Sequence, residues 1–345
     1  MRSVWAPWGL IPSRPRWLGG NSLRRRVHPR VTQDCLDIAM AHDDEDHITE
    51  EDLWDLLPGS AGNDRADILY KISAHLYSRN KYSEALACAQ ESVEILERID
   101  TKDREALGRA RSGVAHNLKA IGQNQEALTE LMVVSDLYHR ESLPDVAEID
   151  CMIGRWAYDA KDFNTAAKYL AYSSSEAGDG VGDRHIAAQD RFYLGRSLLS
   201  IGKPAEALIE MTEARAAFKD LKSVFDLAIV DAGLAESFIA LSRIPEAHRH
   251  AQRALDVFTT LGKRLHSTLA ILPLAQALYH EGELDEALRY ISEAIEIEQT
   301  SDEPDIEEIV RYEVILRDIV SALGDRDLAA EITRRHESIR EISDL

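Results

Sequence analysis

The residues most able to do chemistry in this sequence lie in three short clusters. His42 and His47 enclose four acidic residues, and imidazole with carboxylate could bind a metal ion. The acids lack the spacing of a calcium loop, which favours a solvated acidic run. Residues 178–182 are rich in glycine, but a phosphate loop would need a preceding strand and a following Lys-Ser/Thr pair, so a linker is favoured. His248 and His250 are two residues apart on a predicted helix and point in different directions.

No residue set in the sequence indicates a catalytic mechanism. There is no recognisable nucleophile–base–acid set, nucleotide-binding fingerprint or zinc-ligand spacing. The three cysteines, Cys35, Cys88 and Cys151, include no CxxC pair, which favours reduced thiols and a cytoplasmic location. Cys151 could be a reactive thiol, although a small buried residue is the favoured interpretation. We therefore expect a protein that is not an enzyme and has no metal or other cofactor.

Composition favours a long helical protein with a strongly acidic body. The 345 residues include 45% hydrophobic residues but only 18 glycines and 10 prolines. The first 30 residues hold seven arginines and no acid, and removing these charges from the formal net charge of −21 leaves −28 for the rest. Such a body repels phosphate backbones and anionic lipids, so we expect neither nucleic acid nor a membrane as partner. No apolar run approaches the ~20 residues that span a bilayer.

Two short segments precede the main body. Residues 1–39 are rich in Arg, Pro and Trp and are predicted to be disordered. Their composition changes abruptly at Met40, so the native protein could also begin there. Residues 40–62 form an acidic lead-in with a short predicted helix that presents an apolar edge around Trp54 and ends at Pro58.

Residues 63–345 are internally repetitive. An alanine that follows a predicted turn, here named the anchor alanine, recurs at intervals of 42, 39, 41, 40, 40 and 42 residues. The anchor alanines are Ala85, Ala127, Ala166, Ala207, Ala247, Ala287 and Ala329. The position twelve residues earlier is small in six of the seven repeats: Ser73, Ala115, Gly154, Gly195, Ala235, Ala275 and, as the exception, Arg317.

This pattern predicts paired helices that pack closely. Apolar residues around each small residue recur with a helical period, and turns follow them at Gly122, Gly202, Gly282, Gly324 and at polar residues such as Asn80 and Ser242. A second helix then begins, and the small residues let the two helices approach. Pro273 lies within one first helix and predicts a kink or a late helix start. The last repeat is degenerate and is expected to act as a cap.

The repeat resembles the tetratricopeptide repeat, in a variant of about 40 residues. The resemblance rests on Leu194-Gly195, Leu198, Ala207, Met211, Ala214 and their counterparts, and it covers about residues 63–340. It implies an all-α solenoid of about seven antiparallel helix pairs, whose first helices line a concave surface that binds peptides or proteins. The closing proline of that family is missing from every repeat here.

The family pattern places a set of polar and aromatic residues on the concave surface. These candidate peptide-binding residues are Arg109, His116, Lys119, Arg155, Tyr158, Gln189, Phe192, Arg196, Glu236, Gln276 and Tyr279, with Cys151 and His280 beside them. Arg155 and Arg196 occupy equivalent places in neighbouring repeats and could grip the carboxylates of an acidic peptide. The alternative is that these arginines pair with acids on adjacent helices. Where family members that bind chaperone tails carry their clamp, this chain has Tyr70, Ala74, Gly113, Glu148 and Met152, so such tails are not expected ligands.

The sequence therefore predicts a protein-binding or peptide-binding scaffold or adaptor. A regulator that responds to a signalling peptide and a structural subunit of a larger assembly are the alternatives, and the oligomeric state stays open. The acidic helix around Trp54 could either cover the open end of the first repeat or fold back as a plug into the basic groove, and the cover is favoured.

Overall fold

A computed structural model describes residues 49–175, 181–302 and 304–343, and within these ranges all regular structure is helical. The described part holds fifteen α-helices and one 3₁₀ turn, Leu57–Gly59. The helices are α1 (Glu50–Leu56), α2 (Gly62–Ser78), α3 (Tyr82–Arg98), α4 (Arg104–Ala120), α5 (Asn124–Glu141), α6 (Val146–Asp159), α7 (Phe163–Ser175), α8 (Val181–Ser200), α9 (Pro204–Asp220), α10 (Val224–Ala240), α11 (Ile244–Thr260), α12 (Arg264–Glu281), α13 (Leu284–Gln299), α14 (Ile306–Ala322) and α15 (Arg326–Ser343).

Helices α2 to α15 form seven antiparallel pairs, named repeats 1 to 7. Each first helix packs on its own second helix, and each second helix packs on the next first helix. First helices of neighbouring repeats also contact one another more closely than second helices do in the described part. The first helices therefore lie on the inner side of the curve and the second helices on the outer side, as predicted. We name the space that the first helices enclose the concave groove.

The anchor alanine is the fourth residue of the second helix in every repeat. It is fully buried in repeats 1 to 6, and Ala329 of repeat 7 is nearly so. Five residues earlier, each turn has one residue in the left-handed region: Asn80, Gly122, Lys161, Gly202, Ser242, Gly282 and Gly324. This conformation ends the first helix and reverses the chain, because the next amide bonds back to a carbonyl of the last turn. The predicted turns are confirmed. Lys161 is a further turn residue that the sequence did not predict.

The close approach of paired helices is confirmed at the small residues. A Cβ atom on Gly154 would lie 2.5 Å from Cγ of Leu170, and one on Gly195 would lie 2.6 Å from Cγ of Met211. Both partners lie four residues after an anchor alanine. A residue with a side chain at either glycine would therefore collide with the second helix of its own repeat.

Helix α1 covers the open end of repeat 1. Thr49 and Asp52 form a capping box that starts the helix. Leu53 and Leu57 join the hydrophobic core of repeat 1, and Glu50 pairs with Arg79 at 2.7 Å. The described part of the acidic helix is thus a cover rather than a plug in the concave groove. The predicted apolar edge is only partly right, since Trp54 and Leu56 are exposed.

Two further predictions meet different outcomes. Helix α12 begins at Arg264, nine residues before Pro273, so the predicted late start is wrong and Pro273 lies inside the helix. Pro273 is one of the buried residues of this helix. His42, His47 and the acids between them, together with glycine-rich residues 178–180, lie outside the described residues.

Candidate functional site: a charged concave groove

The candidate site is assembled from the first helices α4, α6, α8, α10 and α12, as predicted, and from α14. Residues eighteen, fifteen, eleven and eight positions before an anchor alanine share one face of each first helix. Most of the predicted site residues occupy this face, but the structure does not bring them all together. They divide into a buried joint, a group that crosses the groove and a separate group in repeat 2.

Arg155 forms a buried joint between repeats 3 and 4. Its guanidinium donates to Oδ1 of Asp190 from Nε at 2.9 Å and from Nη2 at 2.7 Å, and Nη2 also lies 3.4 Å from Oε1 of Gln189. Ser173 donates to the other carboxylate oxygen at 2.8 Å, and the Cys151 thiol donates to Oδ1 at 3.3 Å. Arg155 therefore pairs with an acid on the adjacent first helix, as in the alternative interpretation. The Cys151 side chain is buried, as the favoured interpretation held.

Arg196 links repeats 3, 4 and 5 across the concave face. Its guanidinium pairs with Glu236 of α10 and bonds to Tyr158 of α6. Burial opposes the charge of Arg196, but Glu236 and Tyr158 outweigh it and raise the pKa of the guanidinium. Arg196 therefore stays charged and fixed in position.

Repeat 7 faces this group from the other side of the concave groove. Arg311 of α14 interacts electrostatically with Glu236 and Arg196, and it pairs with Glu308 at 2.8 Å. Burial disfavours its charge, but Glu236 and Glu308 raise the pKa of Arg311 above its usual value. Its side chain is still 46% exposed.

A second contact also reaches across four repeats. Lys161, in the turn between α6 and α7, lies 2.5 Å from the carboxylate of Glu307 at the start of α14. This contact joins the turn of repeat 3 to the start of the first helix of repeat 7.

Sequence analysis missed Arg311, although a signal was present. Arg311 lies eighteen residues before Ala329, the register that Arg109 and Gln189 occupy in repeats 2 and 4. The degenerate repeat 7 was predicted to be only a cap.

Repeat 2 contributes a separate group. Arg109 pairs with Glu105 at 2.6 Å within its own helix. Lys119 lies over the ring of Trp156 at 4.2 Å and 3.7 Å from the Asp159 carboxylate, which links repeat 2 to repeat 3.

His116 belongs to the same link. It is buried against the edge of the Trp156 ring, and its Nδ1 lies 2.8 Å from the Ser112 carbonyl oxygen. Burial lowers the pKa of His116, so the ring is neutral at neutral pH.

Of the remaining predicted residues, Gln189 belongs to the buried joint through Arg155, and the others are peripheral to these contacts. Gln189 and Phe192 are buried, and Phe192 packs beside Gly233 of repeat 5. Gln276 and Tyr279 of repeat 6 are partly exposed, and Tyr279 packs against the edge of the His280 ring at 5.5 Å. Phe192 is therefore a core residue rather than a surface contact.

One cluster holds the residue types of a hydrolytic triad in the wrong order. Ser223 donates to Oδ2 of Asp226 at 2.5 Å, and Nε2 of His185 lies 2.9 Å from the same oxygen. The carboxylate stands between the hydroxyl and the imidazole, so the imidazole cannot take the serine proton.

Within the described ranges, no group of three or more His, Cys, Asp or Glu side chains could hold a metal ion.

Comparison with known proteins supports the fold. Neither a protein-family model nor a curated protein matches this chain. The apo form of RapI is similar in structure, with a TM-score of 0.56 and 12% identity over 85% of this chain and 90% of its own. Aspartyl phosphate phosphatase F from Bacillus subtilis gives a TM-score of 0.58 and 13% identity, over 92% of this chain and 86% of its own.

A third similar structure is a much longer protein. It is a Signal Transduction ATPase with Numerous Domains from Pyrococcus horikoshii, which has a tetratricopeptide repeat sensor. The TM-score is 0.59 and the identity 15%, over 94% of this chain but 49% of the archaeal chain. Together with the seven helix pairs, these likenesses show that the chain has a tetratricopeptide-repeat-like fold.

Among the described helices, none is both long and apolar enough to cross a bilayer.

Proposed function

We propose that this protein is a scaffold or adaptor that binds a segment of another polypeptide in its concave groove. The observation that carries the proposal is that Arg196, Glu236 and Arg311, from three different first helices, interact with one another on the concave side. Charged groups that are already held in position lose little freedom when a ligand arrives, which favours binding. The repeat region of the archaeal protein is a sensor, which is compatible with such a use of the fold.

We propose further that acidic side chains of the partner contact the exposed guanidiniums of the concave groove. Arg311 and Arg109 fit this role, because each remains partly exposed while paired with a glutamate of its own helix. Arg155 fits it poorly, since its guanidinium is buried with Asp190. A partner carboxylate could contact each guanidinium beside its glutamate, because a guanidinium carries five N–H donors.

Capture of partners from host lysate tests this proposal. The full chain, an Arg311→Glu variant and an Arg289→Glu variant serve as baits, and bound proteins are identified by mass spectrometry. Arg289 is a matched control, because it is 59% exposed and pairs with a glutamate three residues earlier, as Arg311 does, but lies on outer helix α13. We expect a partner that the wild type and Arg289→Glu retain and that Arg311→Glu loses. Loss in both variants, or in neither, would contradict binding in the concave groove.

The proposal is of a binding protein rather than an enzyme. It is supported by the order of the Ser223, Asp226 and His185 cluster, in which the imidazole does not contact the hydroxyl. Assay of the purified chain for ester hydrolysis, with Ser223→Ala as the comparison, tests this part: activity that disappears in the variant would overturn it.

A peptide-responsive regulator is the second candidate function. It is favoured by the contact of Lys161 with Glu307, because a weak contact between repeats 3 and 7 is one that a ligand in the concave groove could make or break. A structural subunit remains the third, and it would form a stable oligomer in sizing experiments. Small-angle scattering is measured on the purified chain with and without the binding segment of the captured partner. An adaptor should keep a constant radius of gyration, whereas the radius of gyration of a regulator should change.

A further inference from the structure

The position six residues after each anchor alanine faces outward and is charged in five of the seven repeats. These charged residues are Glu91, Glu213, Arg253, Glu293 and Arg335. In repeats 1, 4, 5 and 7 the charged side chain pairs with an opposite charge on a first helix. Repeats 2 and 3 carry Val133 and Tyr172 there instead. A position that otherwise holds a charge on the outer side is therefore apolar in two adjacent repeats.

Val133 and Tyr172 belong to an apolar surface on the outer side of repeats 2 and 3. Val133 is 40% exposed, Met132 beside it is 37% exposed, and Tyr172 is 36% exposed. We name Met132, Val133 and Tyr172 the apolar patch. Among the described side chains of the second helices, the one other large apolar side chain exposed to this degree is Ile209 of α9.

The aromatic side chains at the apolar patch are held by their neighbours. The edge of the Tyr172 ring packs on the His139 ring, with the centroids 4.9 Å apart, and this contact joins α7 to α5. Nζ of Lys168 lies 5.0 Å from the centroid of the partly exposed Tyr169 ring. Rings that are already fixed lose little freedom when another surface packs on them, so this surface is prepared for a contact.

The apolar patch also lies on the least charged part of the outer side. Helix α7 has one Asp, Glu, Lys or Arg residue, Lys168, whereas each of the other six second helices has four to eight. On α5, Asp136 and Arg140 pair with each other at 2.9 Å. On α9 the exposed Ile209 is followed directly by Glu210, so charge bounds the patch on that side.

We propose that two copies of this protein associate through the apolar patch, with α7 of one copy against α7 of the other. The chain has a formal net charge of −21, so two copies repel each other where their acidic surfaces meet. A twofold contact places the same patch on both sides and is therefore favoured where the surface has no excess of one sign. Lys168 and the pair of Asp136 with Arg140 meet that condition. Burial of the three apolar side chains drives the association.

The small patch sets the strength of this dimer. Contacts of small area are weak, so the dimer should dissociate on dilution, unlike the stable oligomer expected of a structural subunit. The inference goes beyond the proposed function and does not depend on it. Because the second helices form the contact, both concave grooves stay accessible, and the dimer could hold two segments of one partner at once.

Sedimentation equilibrium of the full chain over a dilution series tests the proposal. We expect the weight-average mass to rise from 38.7 kDa towards twice that value as the concentration increases. Val133→Glu introduces the residue that repeats 1, 4 and 6 carry at this position, so the variant should fold. It should remain monomeric at concentrations where the wild type is half dimeric, because two acids would face each other. Tyr172→Glu is a second variant with the same expected result, and circular dichroism verifies that both are helical.

A matched control separates the apolar patch from added charge in general. Ile209→Glu makes the same kind of change at an apolar side chain that is 59% exposed but lies outside the patch, so it should dimerise as the wild type does. Equal loss of dimer in Ile209→Glu and Val133→Glu would overturn the proposal. So would a wild type that is monomeric at every concentration, which would leave the patch to a different partner, or dimers that persist in both patch variants.

Salt gives an independent test of the same contact. Raising sodium chloride from about 0.05 M to about 0.5 M screens the repulsion between the two acidic chains but leaves an apolar contact in place. The wild-type dimer should therefore become stronger, with a larger dimer fraction at equal protein concentration. A dimer that salt weakens would show that ion pairs hold the two copies together, and this result would also overturn the proposal.

Discussion

Single side chains decide how closely the helices of a repeat approach. Gly154 faces Leu170 so closely that a methyl group would meet Cγ at 2.5 Å and the Leu170 backbone nitrogen at 3.1 Å. Gly113 also lies inside a first helix, but the nearest atom to its added Cβ, on Tyr70, is 3.5 Å away. The same substitution should therefore have opposite effects at these two glycines.

We predict that Gly154→Ala lowers the free energy of unfolding by about 1–3 kcal/mol, because the methyl group overpacks the contact with Leu170. Gly113→Ala should raise it by about 0.5–1 kcal/mol, because alanine stabilises a helix interior relative to glycine. Urea denaturation of both variants beside the wild type measures the difference. A Gly154→Ala variant as stable as Gly113→Ala would show that the helices have room to separate.

Buried charge also acts at the scale of a residue. Arg155→Leu would leave the Asp190 carboxylate without its positive partner, so we expect a loss of about 3–5 kcal/mol in the free energy of unfolding. The double variant Arg155→Leu/Asp190→Asn removes the negative charge and should regain part of the loss, since the amide still accepts from Ser173. Chemical denaturation of the single and double variants gives both values. A double variant that is less stable than Arg155→Leu would contradict this account of the joint.

At the scale of helices, the repeats could be predicted well because their determinants are local. The anchor alanines, the small residues and the turn glycines follow one another within a single repeat, and each maps onto the structure in register. Lys161 was missed as a turn residue because its left-handed conformation is set by the helices on either side rather than by its own preference.

The partners of the site residues could not be predicted in the same way. Arg155 and Asp190, or Arg196 and Glu236, lie in different repeats, and their meeting depends on the rotation from one repeat to the next. Arg311 was missed because small rotations accumulate over three repeats before α14 faces α8. Sequence analysis therefore identified the face that lines the groove but not the side chains that meet across it.

At the scale of the whole molecule, the superhelix brings repeat 3 to repeat 7. The contact between Lys161 and Glu307 is solvent-exposed, with 64% and 75% of the two side chains accessible, so it adds little stability. We predict that Glu307→Lys raises the radius of gyration in small-angle scattering through repulsion from Lys161, with the thermal midpoint nearly unchanged. The double variant Lys161→Glu/Glu307→Lys should restore the wild-type radius, and an unrestored radius would show that this contact does not hold repeats 3 and 7 together.

Site-specific photocrosslinking tests the central claim, binding within the concave groove, most directly. A photoreactive residue replaces Gln276 on the inner side of α12 or, in the matched protein, Ile209 on the outer side of α9, where the side chain is 59% exposed. Each protein is irradiated with the partner captured from lysate, and crosslinked peptides are identified by mass spectrometry. We predict crosslinks to the partner from position 276 and none from position 209. Crosslinks from position 209 alone would place the partner on the outer helices and contradict the proposed function.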